Sequence, residues 1–386
     1  MISVLSINNY RSILDLKLPL GRLNLITGPN GSGKSNIYRA LRLLSQTATG
    51  GVIKALAQEG GLNSTFWAGP ETLSKAMITG DAAVEGSVRK KVVRMRLGFS
   101  TPELSYSISL GLPTPSRSVF SLDPEIKREC IWTGPCFRPA NLVVDRVGPI
   151  VKVRSSRTWE VVDQHLNVFD SLFSQIGNIK ETPEIIYVRE SIHNWRFYDH
   201  FRSDREAPAR KTQIGTRTPV LSNDGDDLAA SLQTIKEIGD SEALDTAISD
   251  AFPGTELVIT QHDGGYLSLG LSQQGLLRPL TCPELSDGTL RYLLLVAALL
   301  TPRPPKLLIL NEPETSLHPD LIPALAKLIL HASEKTQVWV VSHARLLIDI
   351  LKKYSECHLI ELEKQCGQTK VLGQSILEIP SWHWPD

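Results

Sequence analysis

The stretch Gly28-Pro29-Asn30-Gly31-Ser32-Gly33-Lys34-Ser35 decides the fold, because it follows a short β-rich run, Leu23–Thr27, and leads into helical apolar spacing over Ser35–Leu44. Glycines let successive backbone N–H groups turn towards phosphate oxygens, and a helix N-terminus adds the positive end of its dipole. In this pattern the lysine bridges the β- and γ-phosphates and the serine ligates Mg²⁺. The sequence therefore predicts a nucleoside triphosphate site with Asn30, Gly31, Ser32, Gly33, Lys34 and Ser35 as binding residues.

The last third of the chain alternates short apolar strands with helices. The pattern predicts helices over Thr289–Leu300, Pro319–His331 and Ala344–Leu351, and strands over Leu307–Leu310 and Val338–Val341. Such alternation is typical of a mostly parallel sheet covered on both faces. We expect an α/β fold.

The middle of the chain has a different pattern. Antiparallel strands are predicted over Val88–Phe99, Tyr106–Leu112, Val143–Val153 and Arg157–Val162, with a turn at Gly148-Pro149. Helices are predicted around Asn167–Gln175 and Asp227–Ile238, a structured loop or irregular lid over Val188–Pro219, and a hairpin from His358–Glu363 and Lys370–Glu378. We expect three segments: 1–162 with the phosphate loop and a β-rich antiparallel lobe, a mixed helical insertion or lid at 163–280, and 281–386.

Composition excludes several classes of protein. With 41 Lys+Arg and 41 Asp+Glu among 386 residues the formal charge is zero, which argues against a surface that is basic throughout. Five scattered cysteines without a C-x-x-C pair disfavour a disulfide framework or a zinc site. The apolar runs are too short to cross a bilayer, and the polar N-terminal stretch is unlike a signal peptide. We expect a cytoplasmic protein without a membrane partner.

A second motif, Asn311-Glu312-Pro313-Glu314, follows the apolar run Leu307–Leu310. A strand that ends in an acidic pair delivers one side chain to the Mg²⁺ shell and the next to the attacking water. Asn311 stands at the first position and can reach Mg²⁺ only as a neutral group, partly through water, while Glu312 is the predicted base. The alternative is that Asn311 marks an inactive site.

Two further motifs complete the pattern. Leu285-Ser286-Asp287-Gly288-Thr289 precedes an apolar helix, where Ser286 or Asp287 could equally be a plain helix cap. His343 ends the apolar strand that begins at Val338, and a lone histidine is usually structural.

In this order the four motifs resemble the head of ABC-type ATPases, which are P-loop NTPases. Together with Asn9-Tyr10-Arg11-Ser12-Ile13 and Thr315-Ser316-Leu317-His318-Pro319 they resemble the RecF/SMC-like and OLD-like ATPases of bacteria, and more closely a family of bacterial predicted AAA-family ATPases often labelled RecF-like. The resemblance implies a slow ATPase with ATP and Mg²⁺ as cofactors and an ATP-dependent homodimer.

The same resemblance implies roles for individual residues. The loop of Ser286, Asp287 and Gly288 would contact the γ-phosphate of a nucleotide held by the partner subunit. His343 would sense the γ-phosphate, and Arg11 would bind nucleotide. It also implies a link to DNA maintenance, repair or phage defence. The sequence contains no heptad run, so we expect no coiled-coil arm.

A basic stretch interleaved with aromatic residues is the last candidate. Arg196, Arg202, Arg205, Arg210 and Lys211 stand among Trp195, Phe197, Tyr198 and Phe201, a composition that favours a DNA patch of cations and stacking rings. The alternative is a lid held by arginine pairs to Asp199 and Asp204.

A rival function for the chain is an ATP-switched scaffold that recruits a separately encoded effector such as a nuclease. A transport ATPase is disfavoured by the wording of the motifs.

Overall fold

The computed structural model describes residues 1–72, 74–79, 81, 92–114, 117, 119–156, 158–175 and 182–385. The strands are β1 (Val4–Tyr10), β2 (Ile13–Pro19), β3 (Leu23–Thr27), β4 (Met95–Ser100), β5 (Leu104–Gly111), β6 (Glu125–Thr133), β7 (Leu142–Val147), β8 (Ile150–Ser155), β9 (Thr158–Asp163), β10 (Arg196–Tyr198), β11 (Gln213–Ile214), β12 (Thr255–Gln261), β13 (Tyr266–Gln273), β14 (Leu280–Thr281), β15 (Leu307–Asn311), β16 (Gln337–Val341), β17 (Cys357–Gln365) and β18 (Gln368–Val371).

The helices are α1 (Lys34–Thr47), α2 (Val52–Gln58), α3 (Gly61–Thr65), α4 (Lys75–Thr79), α5 (Leu172–Gln175), α6 (Pro183–His193), α7 (Leu228–Ile238), α8 (Ser241–Ala251), α9 (Asp287–Leu299), α10 (Ile322–Ser333) and α11 (Arg345–Leu351). Within the described ranges the longest is α1 with 14 residues, so these ranges contain no coiled-coil arm.

Packing divides the chain into two compact units made of non-consecutive segments. The first unit comprises 1–21, 27–195 and 360–386, and the second comprises 22–26 and 196–359. The expected functional division into 1–162, 163–280 and 281–386 stays a prediction.

An eight-stranded antiparallel sheet forms the first unit, in the order β2-β1-β4-β5-β6-β7-β8-β9. Burial alternates along β7 and β8, as a sheet with one covered face requires. The turn predicted at Gly148-Pro149 joins β7 to β8. This sheet is the antiparallel lobe that the sequence predicts.

One buried ion pair joins two inner strands of this lobe. Arg146 and Glu129 face each other across β7 and β6 at 2.5 Å, and both side chains are fully buried. Arg146 also donates to the carbonyls of Asn167 and Asp170. These carbonyls therefore serve a tertiary contact, and among the described residues the helix predicted around Asn167–Gln175 is confirmed only over Leu172–Gln175.

The second unit is the α/β part. Its parallel strands lie in the order β10-β15-β16-β3, and a smaller antiparallel sheet has the order β11-β13-β12 with β14 on β13. Every residue of α9 from Leu290 to Leu299 is buried, so this helix is the centre of the core. The structure confirms the predicted α/β fold with a β-rich antiparallel lobe.

The segment predicted as an irregular lid is more regular than expected. Helix α6 continues to His193, and β10 adds a strand to the parallel sheet beside β15. A three-residue strand has no local period to detect, and only its pairing with a distant segment defines it. The hairpin near the end of the chain is confirmed as β17 and β18, whereas the strand predicted from Val88 begins at Met95, and 88–91 lie outside the described residues.

Candidate active site

The phosphate loop turns sharply at its glycines. Gly28, Gly31 and Gly33 have φ angles of 139°, 78° and 107°, which side-chain-bearing residues rarely adopt. A Cβ atom on Gly33 would also lie 2.0 Å from Oγ1 of Thr369. Helix α1 begins directly afterwards at Lys34. The loop has the backbone that a phosphate-binding turn before a helix requires.

The side chains of the loop differ in burial and in hydrogen bonding. Lys34 is 8% exposed, and its ammonium donates to the carbonyls of Gly28 and Pro29 at 2.6 and 3.1 Å. The buried hydroxyl of Ser32 has no hydrogen-bond partner in the described structure. Ser35 is exposed in the first turn of α1, as are Asn30 and Gly31 ahead of it. Lys34 thus holds the loop closed over its own carbonyls.

A chain of hydrogen bonds supports the loop from outside. The Asn36 amide donates to the Ser12 hydroxyl at 2.7 Å, and Ser12 and Thr369 share a 2.6 Å hydrogen bond. The Thr369 hydroxyl in turn donates to the carbonyl of Ser32 at 2.8 Å. Sequence reasoning missed Thr369, because its contact depends on the β17–β18 hairpin meeting the turn after β1.

Arg11 follows Tyr10 in the turn after β1, and its guanidinium is already paired with Glu59. It has a φ angle of 51°, and its guanidinium donates to Glu59 Oε2 at 2.7 and 3.1 Å. The Tyr10 hydroxyl donates to the same oxygen at 2.7 Å, and burial together with Glu59 raises the pKa of Tyr10. The nucleotide contact expected of Arg11 would require exchange of this ion pair, and it stays a prediction.

The acidic motif lies at the end of β15. Asn311 is the last residue of the strand and is half-buried beside Val341. The next residue, Glu312, has a φ angle of 49°, and its N–H donates to the Val341 carbonyl at 2.8 Å. A non-glycine residue in this left-handed region is uncommon and marks a turn. The turn leaves the Glu312 side chain 43% exposed.

His343 follows the neighbouring parallel strand β16 and faces Glu312. Its Nδ1 lies 3.4 Å from Glu312 Oε1 and 3.9 Å from Glu314 Oε1. The ring is 56% exposed, so one nitrogen faces the acidic pair while the side chain remains accessible. The second unit thus brings together the residues predicted as base and as γ-phosphate sensor.

Arg291 is a buried cation behind the acidic motif that sequence reasoning missed. Its Nη2 donates to the Glu312 carbonyl at 3.3 Å, and its Nη1 lies 3.1 Å from Nδ1 of His200. Burial lowers its pKa, while the charges of Glu314 and Glu312 oppose that shift. The available signal was a single arginine inside an otherwise apolar helix.

The loop before α9 is exposed. Ser286 caps the helix, since its hydroxyl accepts from Thr289 N at 3.1 Å, and Asp287 pairs with Arg210 at 2.7 Å. A Cβ on Gly288 would lie 3.0 Å from the Ser316 carbonyl. Ser286 is therefore a helix cap. Its position is also exposed, so a partner subunit could reach it.

The basic stretch does not form a stacking surface. Its four aromatic side chains are buried: Trp195, Phe197, Tyr198 and Phe201. Rings inside the core cannot stack on nucleobases, so that half of the DNA-patch prediction is wrong.

The cations of this stretch differ in their partners and in their exposure. Arg202 makes a bidentate pair with Asp204 at 2.8 and 2.9 Å, as the lid alternative predicts. The Arg210 side chain is 7% exposed and donates to the carbonyls of Cys282 and Leu285. Arg196 is half-buried in β10, whereas Arg205 and Lys211 are exposed. Arg202 and Arg210 thus make internal contacts, and the exposed cations of the stretch are Arg202, Arg205 and Lys211.

Residues 23–349 match the family described as "AAA domain, putative AbiEii toxin, Type IV TA system". A stretch of 44 residues is 48% identical to a protein named OLD nuclease from Thermus scotoductus, and it spans 11% of this chain and only 8% of that relative.

Two solved structures of SMC head domains show a distant similarity to this chain. One is an Smc head domain with an extended coiled coil bound to the C-terminal domain of ScpA from Pyrococcus furiosus, with a TM-score of 0.49, 12% identity and coverage of 98% and 97%. The other is the SMC head domain from Thermotoga maritima, with a TM-score of 0.42, 13% identity and coverage of 97% and 99%.

In the described part of this chain, no helix has the length and apolar character needed to cross a membrane.

Proposed function

The chain belongs to the AAA-domain family that its residues 23–349 match, and we propose that it is an ABC-type ATPase head that hydrolyses ATP slowly as an ATP-dependent homodimer. In this proposal the phosphate loop binds ATP through Lys34 and the backbone of Gly31 to Gly33. We assign the hydrolysis of ATP to Glu312 and His343.

The observation that carries the proposal is the contact between His343 and Glu312. The Nδ1 to Oε1 distance of 3.4 Å joins residues that leave two adjacent parallel strands, β16 and β15, at the same edge. An exposed carboxylate can accept a proton from an attacking water, and an imidazole beside it can orient the carboxylate or donate to a phosphate oxygen. We therefore assign Glu312 as the general base and His343 as the γ-phosphate contact.

Ser35 and Asn311 are the residues that would hold Mg²⁺. Mg²⁺ keeps several waters and is usually bound by one or two protein ligands together with substrate phosphates. The exposed Ser35 hydroxyl and the half-buried Asn311 amide are oxygen donors of that kind, although neither carries charge. When bound, the ion would neutralise phosphate charge as the γ-phosphate is transferred to water.

A second subunit completes the site in this proposal. Ser286 and Asp287 are exposed at the N-terminus of α9, where backbone N–H groups and the helix dipole favour an anion. The loop can therefore contact the γ-phosphate of ATP bound by a partner copy. Nucleotide would then favour the dimer, because it is part of the interface.

For the wider role we propose DNA maintenance, repair or phage defence, in keeping with the nuclease relative and with the toxin system that the family description names. The buried aromatic rings at 195–201 favour a second candidate, an ATP-switched scaffold that recruits a separate effector, because they remove the stacking surface expected for DNA. The two candidates share the same ATPase site.

Phosphate release by the wild type and by Glu312→Gln tests the ATPase proposal. The control is Glu334→Gln, which changes an exposed glutamate of the same unit. The wild type and the control should turn over ATP, and Glu312→Gln should not. A wild-type rate equal to that of Glu312→Gln would contradict the proposal. Salt-dependent binding of duplex DNA by the wild type would favour the DNA-associated role over the scaffold.

A further inference from the structure

Glu314, the second acid of the motif at 311–314, has a buried side chain that is 6% exposed. Its Oε1 accepts from the Ser342 hydroxyl at 2.6 Å and from the backbone N–H groups of His343 and Ala344 at 3.3 and 3.2 Å. All three donors belong to the loop that follows β16. One carboxylate oxygen therefore binds the whole loop that carries His343.

The two carboxylate oxygens of Glu314 have different surroundings. Its second oxygen, Oε2, is buried without a hydrogen-bond partner in the described structure. A buried carboxylate is costly unless a cation and hydrogen bonds compensate for it. Among the charges that act on the buried Arg291, that of Glu314 has the largest effect, and it opposes the lowering of the Arg291 pKa by burial.

The rest of the loop has one further anchor. Ser342 N donates to the Ile26 carbonyl at 3.1 Å, which fixes the loop on its upstream side in the parallel sheet. The Glu314 contacts begin at the Ser342 side chain and continue to Ala344, immediately before α11. The position of the His343 backbone therefore depends on Glu314 and not on the sheet alone.

We propose that Glu314 is a positioning residue, which holds the His343 loop so that the imidazole stays beside Glu312. The proposal rests on the ATPase function given above. Glu314 touches neither the reacting atoms nor the phosphate in this proposal, and acts only through His343. A purely structural alternative is that Glu314 caps α11 and affects only stability.

A double-mutant cycle separates these alternatives. Phosphate release at saturating ATP is measured for the wild type, Glu314→Gln, His343→Ala and the double variant. Loss of a charge-assisted contact should lower kcat about tenfold or more in Glu314→Gln, but less than about twofold when His343 is already absent. The dissociation constant for ATP, measured by calorimetry, should change less than about threefold. Equal fractional losses of kcat in both backgrounds would overturn the proposal.

Amide hydrogen exchange without nucleotide provides a second readout that does not need turnover. Exchange at His343 and Ala344 should accelerate about tenfold in Glu314→Gln, and Glu314→Ala should have a larger effect because it also removes the acceptor. Glu334→Gln is the matched control and should leave exchange unchanged. An inactive wild type would reject the ATPase function alone, whereas unchanged exchange in Glu314→Gln would overturn the positioning role.

Discussion

The Thr369 hydroxyl donates a 2.8 Å hydrogen bond to the carbonyl of Ser32, which joins residues 337 positions apart at the phosphate loop. Thr369→Val keeps the shape of the side chain but removes this bond and the one to Ser12. We expect a loss of about 1 to 2 kcal/mol in the free energy of unfolding and several-fold weaker ATP binding. Denaturant unfolding and calorimetry check both, with the exposed Thr114→Val as a control. Unchanged values for Thr369→Val would show that the hairpin does not support the loop.

Lys34→Ala should abolish ATP binding. In the proposed site the ammonium is the counter-charge for the β- and γ-phosphates, and in the structure it donates to the carbonyls of Gly28 and Pro29. Calorimetric titration with ATP measures the effect, and Lys54→Ala, an exposed lysine of α2, should bind ATP like the wild type. Wild-type affinity in Lys34→Ala would mean that the loop is not the nucleotide site.

Glu312→Gln should accumulate as a dimer when ATP is added. Removal of the base stops hydrolysis while the phosphate contacts of both subunits persist. Sedimentation velocity with and without ATP is the measurement, and Glu334→Gln should give only the wild-type distribution. If Glu312→Gln binds ATP yet stays monomeric, the two-subunit arrangement is wrong.

Asn311→Asp should lower the Mg²⁺ concentration needed for half-maximal phosphate release. The substitution adds one negative charge at the end of β15 with little change in size, so it isolates the electrostatic part of metal binding. The maximal rate should stay close to that of the wild type, because Glu312 is still the base. A variant that gains turnover over an inactive wild type would instead identify Asn311 as the mark of a binding-only site.

Asp199→Asn should stabilise the protein near neutral pH. Burial raises the pKa of Asp199 from 3.8 to about 6, so between these values the folded protein binds more protons than the unfolded chain, and its stability falls as pH rises. The asparagine variant lacks this loss. Its unfolding free energy should exceed that of the wild type at about pH 8, and the difference should shrink towards about pH 4. A difference that does not vary with pH would contradict the assignment.

Several features could be predicted from the sequence because they are encoded locally. The glycines of the phosphate loop, the apolar strand before Asn311 and the helix after Ser286 each appear within one short window. The alternation of strands and helices was enough to predict the α/β class, and runs of strand pattern predicted the antiparallel lobe and the terminal hairpin. The bounds of α1, β15 and β16 differ from expectation by three residues or fewer.

The tertiary structure decided what depends on contacts between distant segments. β10 is a strand only because β15 pairs with it, and the pairing places the buried Phe197 and Tyr198 in the sheet. Arg210 and Arg291 likewise have partners that no local spacing indicates. By itself the sequence determined the chemistry of the loop and of the strand ends, since residue type and short-range spacing specify them. The positions of Glu314, Arg291 and Thr369 were decided by folding, because a hydrogen bond forms only between groups that packing brings together.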